Sequence, residues 1–571
     1  MKTRIVGPLG KVTGSCAWLR DHEKGWSFLV DCGMQQEEVG AKHWNGGNLW
    51  PFNPSEIQFV VLTHAHVDHS GLIPELYRQG FTGEVYCTRA TRRIAEVLLR
   101  DAARFGDTPY TQEDVERIRW NDTRLKHGCP SPVATDLFVR IFRNGHILGS
   151  VSAAIIWGPP KDPSQRSIVF SGDVGPGAED RESLPLLRFP QNPSTSNYAV
   201  LESTYGDVIR PDEVRDPVRR RADLAALLDQ IIETGGTLAI PAFSVGRTQD
   251  VMFDLSHLVA EHPERFAEVS FLLDSPTAAQ INKITLDELR DTCVAGPTGK
   301  IRPLWLGKQL FRALGLERNR RDHFDTALEI CRMTLSCNGT RIGTIHHGNE
   351  IAKRWAPIFS PVTDRESALE AGHCPRVIVM SSGSCDGGPA ATWLPALLKS
   401  SANIVAMSGY CSPASMGGEL LKIGSIPPRE RDLHTAKVTW TDLNGAQQAT
   451  VEARDIKAAI TKLSGYSAHA DQYDLVEWCF PGAEGGGRRP VSGHVLLNHG
   501  NDRARNALHS ALRARASELG MALKVECPDE ASAWIDLESD QCVEPRKSAS
   551  DEEIEEEIER LRAMLGKRRA A

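Results

Sequence analysis

The sequence feature that most constrains this chain is FVVLTHAHVDHSGLIPEL, residues 59–76, in which an apolar run leads directly into His64, His66, Asp68 and His69. Three imidazoles and a carboxylate within six positions are costly to bury as packing, because each neutral ring needs a hydrogen-bond partner and each charge needs compensation. A short loop after a strand can direct alternate residues to two neighbouring points, and two metal ions about 3.5–4 Å apart are the usual result. The pattern therefore predicts a dinuclear metal site at a strand end.

Five further residues of the types that bind or orient metal ions also stand at the ends of apolar runs. Each is a weak signal alone, but together they would complete the coordination of two ions. They are Asp31 in FLVDCG, His146 in NGHILGS, Asp173 in VFSGDVG, His469 in GYSAHAD and His499 in LLNHGND.

The length and composition indicate an ordinary globular protein. A chain of 571 residues can form two or three domains, and its hydrophobic content of 41% and charged content of 25% are typical of such proteins. No window approaches the roughly 18 apolar residues of a membrane span, and the N-terminus lacks the apolar core of a signal peptide. The 13 cysteines are never spaced Cys-x-x-Cys. We therefore expect a cytoplasmic protein with reduced thiols and no membrane association.

The pattern of strands and helices divides the chain into segments. Residues 1–208 alternate short apolar strands with glycine turns, which predicts a sandwich whose loops converge on one edge. Residues 209–424 alternate helix and strand, which predicts a parallel sheet flanked by helices. The sandwich pattern returns in 425–545, with HVLLNHG at 494–500. We expect an α/β protein in which one domain is inserted into another, with its cleft beside the loops of the first.

Two segments are predicted to be helical outside this scheme. Residues 91–127 have a helical pattern, with a helix start at Thr111. The charged segment 546–571 places Ile554 and Leu561 on one helical stripe, and its acidic start and basic end match the helix dipole. A solvated terminal helix or tail is one interpretation and a dimerising or partner-binding helix is the other, so the sequence leaves a homodimer open.

The order of the ligand-type residues resembles that of the metallo-β-lactamase superfamily, whose signature is His-x-His-x-Asp-His followed by a lone histidine and a lone aspartate. The chain also resembles one branch, the β-CASP nucleases, because LESTYGD, GYSAHAD and LLNHG match motifs that place Glu202, His469 and His499. The segment IPAFSVGRTQDVM fits the inserted domain of that branch, and the resemblance spans about residues 4–505. It implies an αββα sandwich with an inserted β-CASP domain.

The resemblance also implies how the ligands divide between two ions. One zinc ion would take three histidines, the second an aspartate and two histidines, and a further aspartate would bridge both. Nitrogen-rich sites with carboxylates suit Zn²⁺, and manganese is the alternative. In that order the ligands are His64, His66 and His146; Asp68, His69 and His499; and Asp173.

The catalytic roles implied by the resemblance agree with metal chemistry. A hydroxide bridging the ions would attack phosphorus in line with the leaving oxygen, and Asp68 and Asp173 would take part through the metals they bind. His469 would donate a proton to the leaving oxygen, and Glu202 would fix its tautomer. Asp31, on the strand beneath, would orient the ligands or the bound water.

Phosphate binding is expected at two places in the inserted segment. Arg247 lies where a strand gives way to a helix, so its side chain and the helix N-terminal amides could bind a phosphate. The loop SSGSCDGG, residues 381–388, could offer N–H groups and hydroxyls to a neighbouring phosphate, and a structural turn is the alternative. The residues expected to contact substrate are Arg247, Ser382, Gly383, Ser384 and Ser467.

Three functions are compatible with these residues. The formal net charge of -8 excludes a globally basic nucleic-acid binder, so a polyanion must be held by local contacts and metal. The favoured function is cleavage of single-stranded RNA, as endonuclease or 5′ exonuclease, because a histidine at position 499 goes with the RNA-processing members of the branch. The alternatives are a hydrolase of a small ester or thioester, and a non-catalytic scaffold. The inserted domain argues against the first of these, and the complete ligand set argues against the second.

Overall fold

The protein is described by a computed structural model that covers most of the chain. The described residues are 1–7, 9–35, 50–104, 108–160, 162–177, 183–295, 300–337, 350–370, 374–441, 447–481, 490–528, 534–538 and 542–543. The helix expected in 546–571 lies outside these residues.

Strands dominate the part of the chain before the insertion. Its strands are β1 (Lys2–Ile5), β2 (Ala17–Asp21), β3 (Trp26–Val30), β4 (Phe59–Val61), β5 (Glu84–Tyr86), β6 (Trp120–Asn121), β7 (Ser131–Ala134), β8 (Leu137–Arg143), β9 (Val151–Trp157), β10 (Arg166–Phe170) and β11 (Ser196–Glu202). Its helices are α1 (Val67–Ser70), α2 (Ile73–Arg78), α3 (Arg89–Arg104) and α4 (Gln112–Glu116).

Helices and strands alternate in the inserted part, and a shorter mixed segment follows. The helices are α5 (Asp212–Arg215), α6 (Pro217–Thr234), α7 (Arg247–Glu261), α8 (Pro276–Glu288), α9 (Lys308–Ala313), α10 (Arg321–Leu335), α11 (Glu350–Lys353), α12 (Arg365–Glu370), α13 (Gly388–Leu397), α14 (Met416–Gly424), α15 (Gln472–Cys479) and α16 (Asp502–Glu518). The strands are β12 (Thr237–Pro241), β13 (Ser270–Asp274), β14 (Thr292–Ala295), β15 (Lys300–Pro303), β16 (Phe359–Pro361), β17 (Arg376–Met380), β18 (Ile404–Met407), β19 (Lys437–Thr441), β20 (Gln447–Glu452), β21 (Ala459–Lys462), β22 (Ser492–Asn498), β23 (Lys524–Glu526), β24 (Trp534–Asp536) and β25 (Cys542–Val543).

Two sheets form the sandwich of the first domain. One has the order β25-β24-β1-β2-β3-β4-β5-β6 and the other the order β23-β22-β11-β10-β9-β8-β7. Apolar residues of both inner faces pack into one core, including Phe28 and Val61 from the first sheet and Ile155 and Val200 from the second. Strands from after the insertion complete both sheets, since β24 pairs with β1 and β22 with β11. The expectation of a sandwich interrupted by an inserted domain is therefore confirmed.

The inserted domain is built on a parallel sheet of order β16-β13-β17-β12-β18-β21. Its central strand β12 is buried at all five residues, as expected of a strand covered by helices on both faces. Local sequence sets the helix ends: the Asp216 side chain caps the N-terminus of α6, Pro217 is its first residue, and Gly235 ends it in the left-handed conformation.

Two boundaries differ from those expected from the sequence. The return to the first domain was expected at residue 425, but β21 is the edge strand of the inserted sheet, so that domain extends to Lys462. The polar segment before it forms the β19–β20 hairpin, whose Trp440 and Val451 are buried against the inserted domain. The helical segment expected over 91–127 is two separate helices, α3 and α4, followed by strand β6, and Thr111 begins α4 as expected.

The two domains pack directly against each other. Apolar residues of α3 and of the inserted domain belong to one core cluster, which includes Leu99 and Ile284. Arg89 and Arg93 of α3 form ion pairs with Glu288 at the end of α8. Within the described part of the chain, no helix is both long enough and apolar enough to cross a membrane.

Candidate active site

The site lies where the carboxyl ends of several strands meet. Strands β3 and β4 are parallel, and β8, β10, β11 and β22 share one direction, because β8 and β10 are both antiparallel to β9. Residues that follow these strands are therefore brought to one edge of the sandwich. They are Asp31 after β3, His64 after β4, His146 after β8, Asp173 after β10, Glu202 at the end of β11 and His499 after β22.

Three histidines and an aspartate form the first set of potential ligands. The Nδ1 atom of His66 lies 3.2 Å from His64 Nε2 and 3.0 Å from His146 Nε2. The Oδ2 atom of Asp173 lies 3.5 Å from His64 Nε2 and 3.6 Å from His146 Nε2. Four donor atoms within 4.8 Å of one another could hold a metal ion.

A second set stands beside the first. The Nε2 atoms of His69 and His499 are 3.1 Å apart, and His499 Nε2 is 3.4 Å from Asp68 Oδ2. Asp173 contributes its other oxygen, since Oδ1 lies 3.1 Å from His69 Nε2. The two sets therefore share one carboxylate, as in sites that hold two ions at short separation.

The shared carboxylate of Asp173 is the clearest sign that a cation fits between the two sets. Asp173 is 1% exposed, and its Oδ1 atom makes no hydrogen bond within the described residues. A buried, unsatisfied carboxylate oxygen is costly unless a positive charge lies beside it. A metal ion between the two sets would satisfy this oxygen together with the facing imidazole nitrogens.

Burial keeps the first set in the form that binds metal. Removal from water lowers the pKa of His64 and His146 well below the ordinary value and lowers that of His66 to about 4. Neutral imidazoles present a free lone pair, which metal binding requires. Burial also acts to lower the pKa of His69, but the carboxylates of Asp173 and Asp31 outweigh it and raise that pKa well above its ordinary value.

Two of these histidines, His69 and His146, have their outer nitrogens held by the protein. Asp31 Oδ2 lies 2.8 Å from His69 Nδ1, and the Asp31 side chain also accepts the N–H of Thr63 at 2.7 Å. His146 Nδ1 donates to the carbonyl of Ala468 at 2.8 Å. These contacts orient the rings so that their other nitrogens face the potential metal positions. Asp31, expected from the sequence to orient ligands, contacts His69 and Thr63.

Two residues of the site adopt a backbone conformation that is unusual for non-glycine residues. Asp31 has φ of 59° and His499 has φ of 53°, both in the left-handed region. Such conformations cost about 1–3 kcal/mol and persist where the surrounding structure enforces them, often at functional sites. The strained turns direct both side chains toward the ligand sets.

His469 and Glu202 lie beside the ligand sets and contact each other. His469 Nδ1 is 3.4 Å from Glu202 Oε1, and the His469 ring is 4.4 Å from that of His146. With Asp173 they form a third group of potential ligands. However, the Glu202 oxygens already accept the backbone N–H groups of Val174 at 2.6 Å and Thr204 at 3.2 Å, so both oxygens are engaged within the protein.

The structure places the expected phosphate-binding residues at the carboxyl edge of the inserted sheet. Arg247 is the first residue of α7, and its Nη1 donates to the carbonyl of Ser408 at 3.1 Å. Its Nε is buried without a hydrogen-bond partner among the described residues. The loop that carries Ser382, Gly383 and Ser384 follows β17 at the same edge, and the two serine hydroxyls are 3.3 Å apart.

The hydroxyl of Ser467, a residue expected to contact substrate, accepts hydrogen bonds from within the protein. Its hydroxyl oxygen accepts from Nη2 of Arg210 at 2.9 Å and from the N–H of His469 at 3.4 Å. Arg210 also donates to the carbonyl of His469 at 2.8 Å, and its backbone N–H donates to Asp471 at 2.7 Å. Arg210 thus holds the loop that carries His469.

Sequence reasoning missed Arg210 and Tyr205, which contact His469, and two aromatic residues that follow strands of the inserted sheet. Arg210 lies eight positions after Glu202, outside the quoted motif, and only the fold brings it to the His469 loop. Tyr205 was part of the quoted LESTYGD motif, but the motif drew attention to its acidic residue alone. Tyr410 and Phe243 stand at the ends of β18 and β12, a position that could have identified them.

Comparisons with known proteins agree with this fold and site. The family profile described as "Metallo-beta-lactamase superfamily" matches residues 9–230, and the one described as "Beta-Casp domain" matches residues 248–420. Ribonuclease TTHA0252 of Thermus thermophilus is 28% identical over 525 residues, which are 91% of this chain and 98% of that protein.

Archaeal proteins are similar over most of the chain as well. Transcription termination factor FttA of Methanococcus maripaludis is 25% identical over 88% of this chain and 67% of its own length. An RNase J-like protein of Methanocaldococcus jannaschii is 23% identical over 69% of this chain and 74% of its own length.

The sandwich, the paired ligand sets and these matches define a metallo-β-lactamase fold hydrolase. The chain belongs to the metallo-β-lactamase superfamily. Within the superfamily it belongs to the β-CASP branch, whose domain is inserted between β11 and the strands that complete the sandwich. The family expected from the motifs is therefore confirmed.

Proposed function

We propose that this protein is a metal-dependent ribonuclease that hydrolyses phosphodiester bonds of single-stranded RNA, with two zinc ions as cofactors. The observation that carries the proposal is the pair of potential ligand sets that share Asp173 at one edge of the sandwich. The relatives named as ribonucleases support RNA as the substrate, because the first of them aligns over nearly its whole length.

The chemistry of the donor atoms supports zinc. The first set, His64, His66 and His146, offers three imidazole nitrogens, and the second offers two more with an aspartate. Sites rich in imidazole with carboxylate help suit Zn²⁺, and manganese is the alternative. Once bound, the two ions would supply a water acidic enough to attack phosphorus and would neutralise charge on the phosphate.

His469 is suited to protonate the leaving oxygen. Its side chain is 20% exposed, and its Nδ1 faces Glu202, which fixes the ring orientation. The hydrogen bonds from Arg210 hold the backbone and the neighbouring Ser467 of the same loop. A positioned acid of this kind typically contributes about 10²–10⁴-fold to the rate.

The position of the site at the boundary of two domains supports an unpaired strand as substrate. Tyr205, after β11 of the sandwich, contacts the ring of Tyr410, after β18 of the inserted sheet. A Cβ atom at Gly246, just before α7, would lie 3.4 Å from Ile147 of the sandwich, so the site lies at the boundary of the two domains. A nucleic-acid strand that enters between two domains must be separated from its complementary strand. Arg247, with one guanidinium nitrogen unsatisfied, is positioned to bind a phosphate beside the α7 N-terminus.

Digestion of labelled substrates tests the proposal. A single-stranded RNA labelled at either end should be cut in preference to DNA of the same sequence and to duplex RNA. Release of single nucleotides from the 5′ end would identify a 5′ exonuclease, and internal fragments an endonuclease. Equal cutting of RNA and DNA would contradict the RNA preference. Activity confined to small esters or thioesters would replace the proposal with the alternative hydrolase.

A further inference from the structure

Three aromatic residues lie along a path of contacts that begins at His469 and ends beside Gly409. The ring of Tyr205 lies 5.9 Å from that of His469 and 6.4 Å from that of Tyr410, edge to face in both cases. Tyr410 is followed along the surface by Phe243, whose ring lies against Gly409. The rings therefore lead from the sandwich to the carboxyl edge of the inserted sheet.

Two of these rings are unusually exposed for their size. Tyr410 is 58% exposed and Phe243 is 40% exposed. Among the described residues, only a few large hydrophobic side chains are exposed to this degree, and these two stand at neighbouring strand ends beside the site. Clustered exposed aromatic residues mark binding surfaces more often than single ones do.

Glycines hold the Phe243 ring in this exposed position. A Cβ atom at Gly383 would lie 2.8 Å from Cδ2 of Phe243, and one at Gly409 would lie 3.2 Å from its Cε2. The ring thus rests directly on two backbone segments. The same arrangement places the 381–388 loop, one of the expected phosphate-binding segments, beside the ring.

Positive charge accompanies the aromatic surface. A Cβ atom at Gly409, the residue before Tyr410, would lie 3.6 Å from Nη1 of Arg247 and 3.2 Å from Cε2 of Phe243. The Arg247 guanidinium therefore lies beside the backbone that carries Tyr410. The guanidinium of Arg210 lies 4.7 Å from the centroid of the Tyr205 ring. Proteins that bind unpaired nucleic acid combine cations for the phosphates with aromatic rings for the bases.

We propose that Tyr410 and Phe243 form a stacking surface for unpaired nucleobases next to the scissile phosphate, with Tyr205 supporting Tyr410. This inference rests on the proposed ribonuclease function and adds the bases as a recognised part of the substrate. Stacking tolerates every base, so the surface would select single strands without selecting a sequence.

Kinetics with a short single-stranded RNA test the surface. Tyr410→Ala should raise KM by about 5- to 150-fold, the range that corresponds to loss of one stacked base, while Tyr410→Phe should stay within a few-fold of the wild type. Leu433→Ala is the matched control, because Leu433 is 83% exposed and lies in a turn that packs on residues 453–455. It should leave KM unchanged.

Abasic nucleotides provide a second measurement that needs no folding comparison. One abasic position near the cut should raise KM of the wild type by a similar factor. In Tyr410→Ala the same abasic position should cause no further increase in KM. If the wild type cuts RNA but KM is raised neither by the abasic position nor by Tyr410→Ala, the stacking surface is refuted and the proposed function is not. A wild type with correct metal content that cuts no RNA would overturn the proposed function, and the surface with it.

Discussion

Replacement of His469 by glutamine separates proton donation from metal binding. His469 lies outside the two ligand sets, and its side chain contacts Glu202 and the rings of neighbouring residues. The glutamine side chain has similar length but cannot act as an acid. His469→Gln should therefore keep the wild-type metal content while RNA cleavage slows about 10²–10⁴-fold, equivalent to roughly 2.7–5.5 kcal/mol of transition-state stabilisation.

The leaving group distinguishes an acid from a merely structural residue. In bis(4-nitrophenyl) phosphate the leaving group is a stable phenolate that departs without a proton. We expect His469→Gln to lose most of its activity on RNA and little on this ester, with rates of both measured on one preparation. His434→Gln, which changes an exposed histidine outside the site, is the control.

Glu202→Gln should give a milder defect in the same assay. The carboxylate of Glu202 accepts the N–H groups of Val174 and Thr204, and an amide oxygen can replace only one of these. The unsatisfied N–H should cost about 1–3 kcal/mol of stability.

If His469→Gln lost metal, His469 would be a ligand. If it slowed RNA and the nitrophenyl ester equally, the proton-donor role would be refuted.

Four other substitutions test three separate parts of the account. Asp173→Ala should lower metal occupancy at both positions, whereas His146→Ala should lower it mainly at the position of the first set, as measured by elemental analysis. An equal loss of metal in the two variants would contradict the proposal that Asp173 serves both positions. Arg247→Ala should weaken RNA binding and reduce the salt slope, expected at roughly two to four, by about 0.7, and an unchanged slope would exclude a phosphate contact. Burial raises the pKa of Asp250 from 3.8 to about 7, so the folded protein retains a proton that the unfolded chain releases, and stability falls with rising pH between these values by about 1.4 kcal/mol per unit. Asp250→Asn should remove this decline, and parallel denaturant-unfolding profiles of the two proteins from pH 5.5 to 7.5 would contradict it.

The ligand-type residues could be identified from the sequence because most of them follow strands, and Asp68 and His69 stand in the short helix α1 that comes after β4. His64, His146, Asp173 and His499 all stand at the end of an apolar run, and strands that share a direction bring such residues to one edge. The quoted motifs then fixed their order. The division between the two sets in the structure is the one that the family resemblance implied.

The remaining features depend on contacts between distant segments. The end of the inserted domain was misplaced because the polar residues around 425–450 look like a linker, whereas Trp440 of their hairpin is buried against the inserted domain. The contacts of Arg210 to the His469 loop span 259 positions, so neither spacing nor periodicity indicates them. Only the fold shows that Tyr410 and Phe243, which follow neighbouring strands, are exposed at one edge of the inserted sheet.

Metal content and RNA cleavage measured on one preparation test the central claim most directly. Protein purified without chelator should contain about two zinc ions per chain, because seven ligand residues form two sets around Asp173. Chelation should abolish cleavage of single-stranded RNA, and added zinc should restore it in step with occupancy of both sites. An active preparation that reproducibly holds less than one ion per chain, or RNA cleavage that persists without metal, would contradict the account.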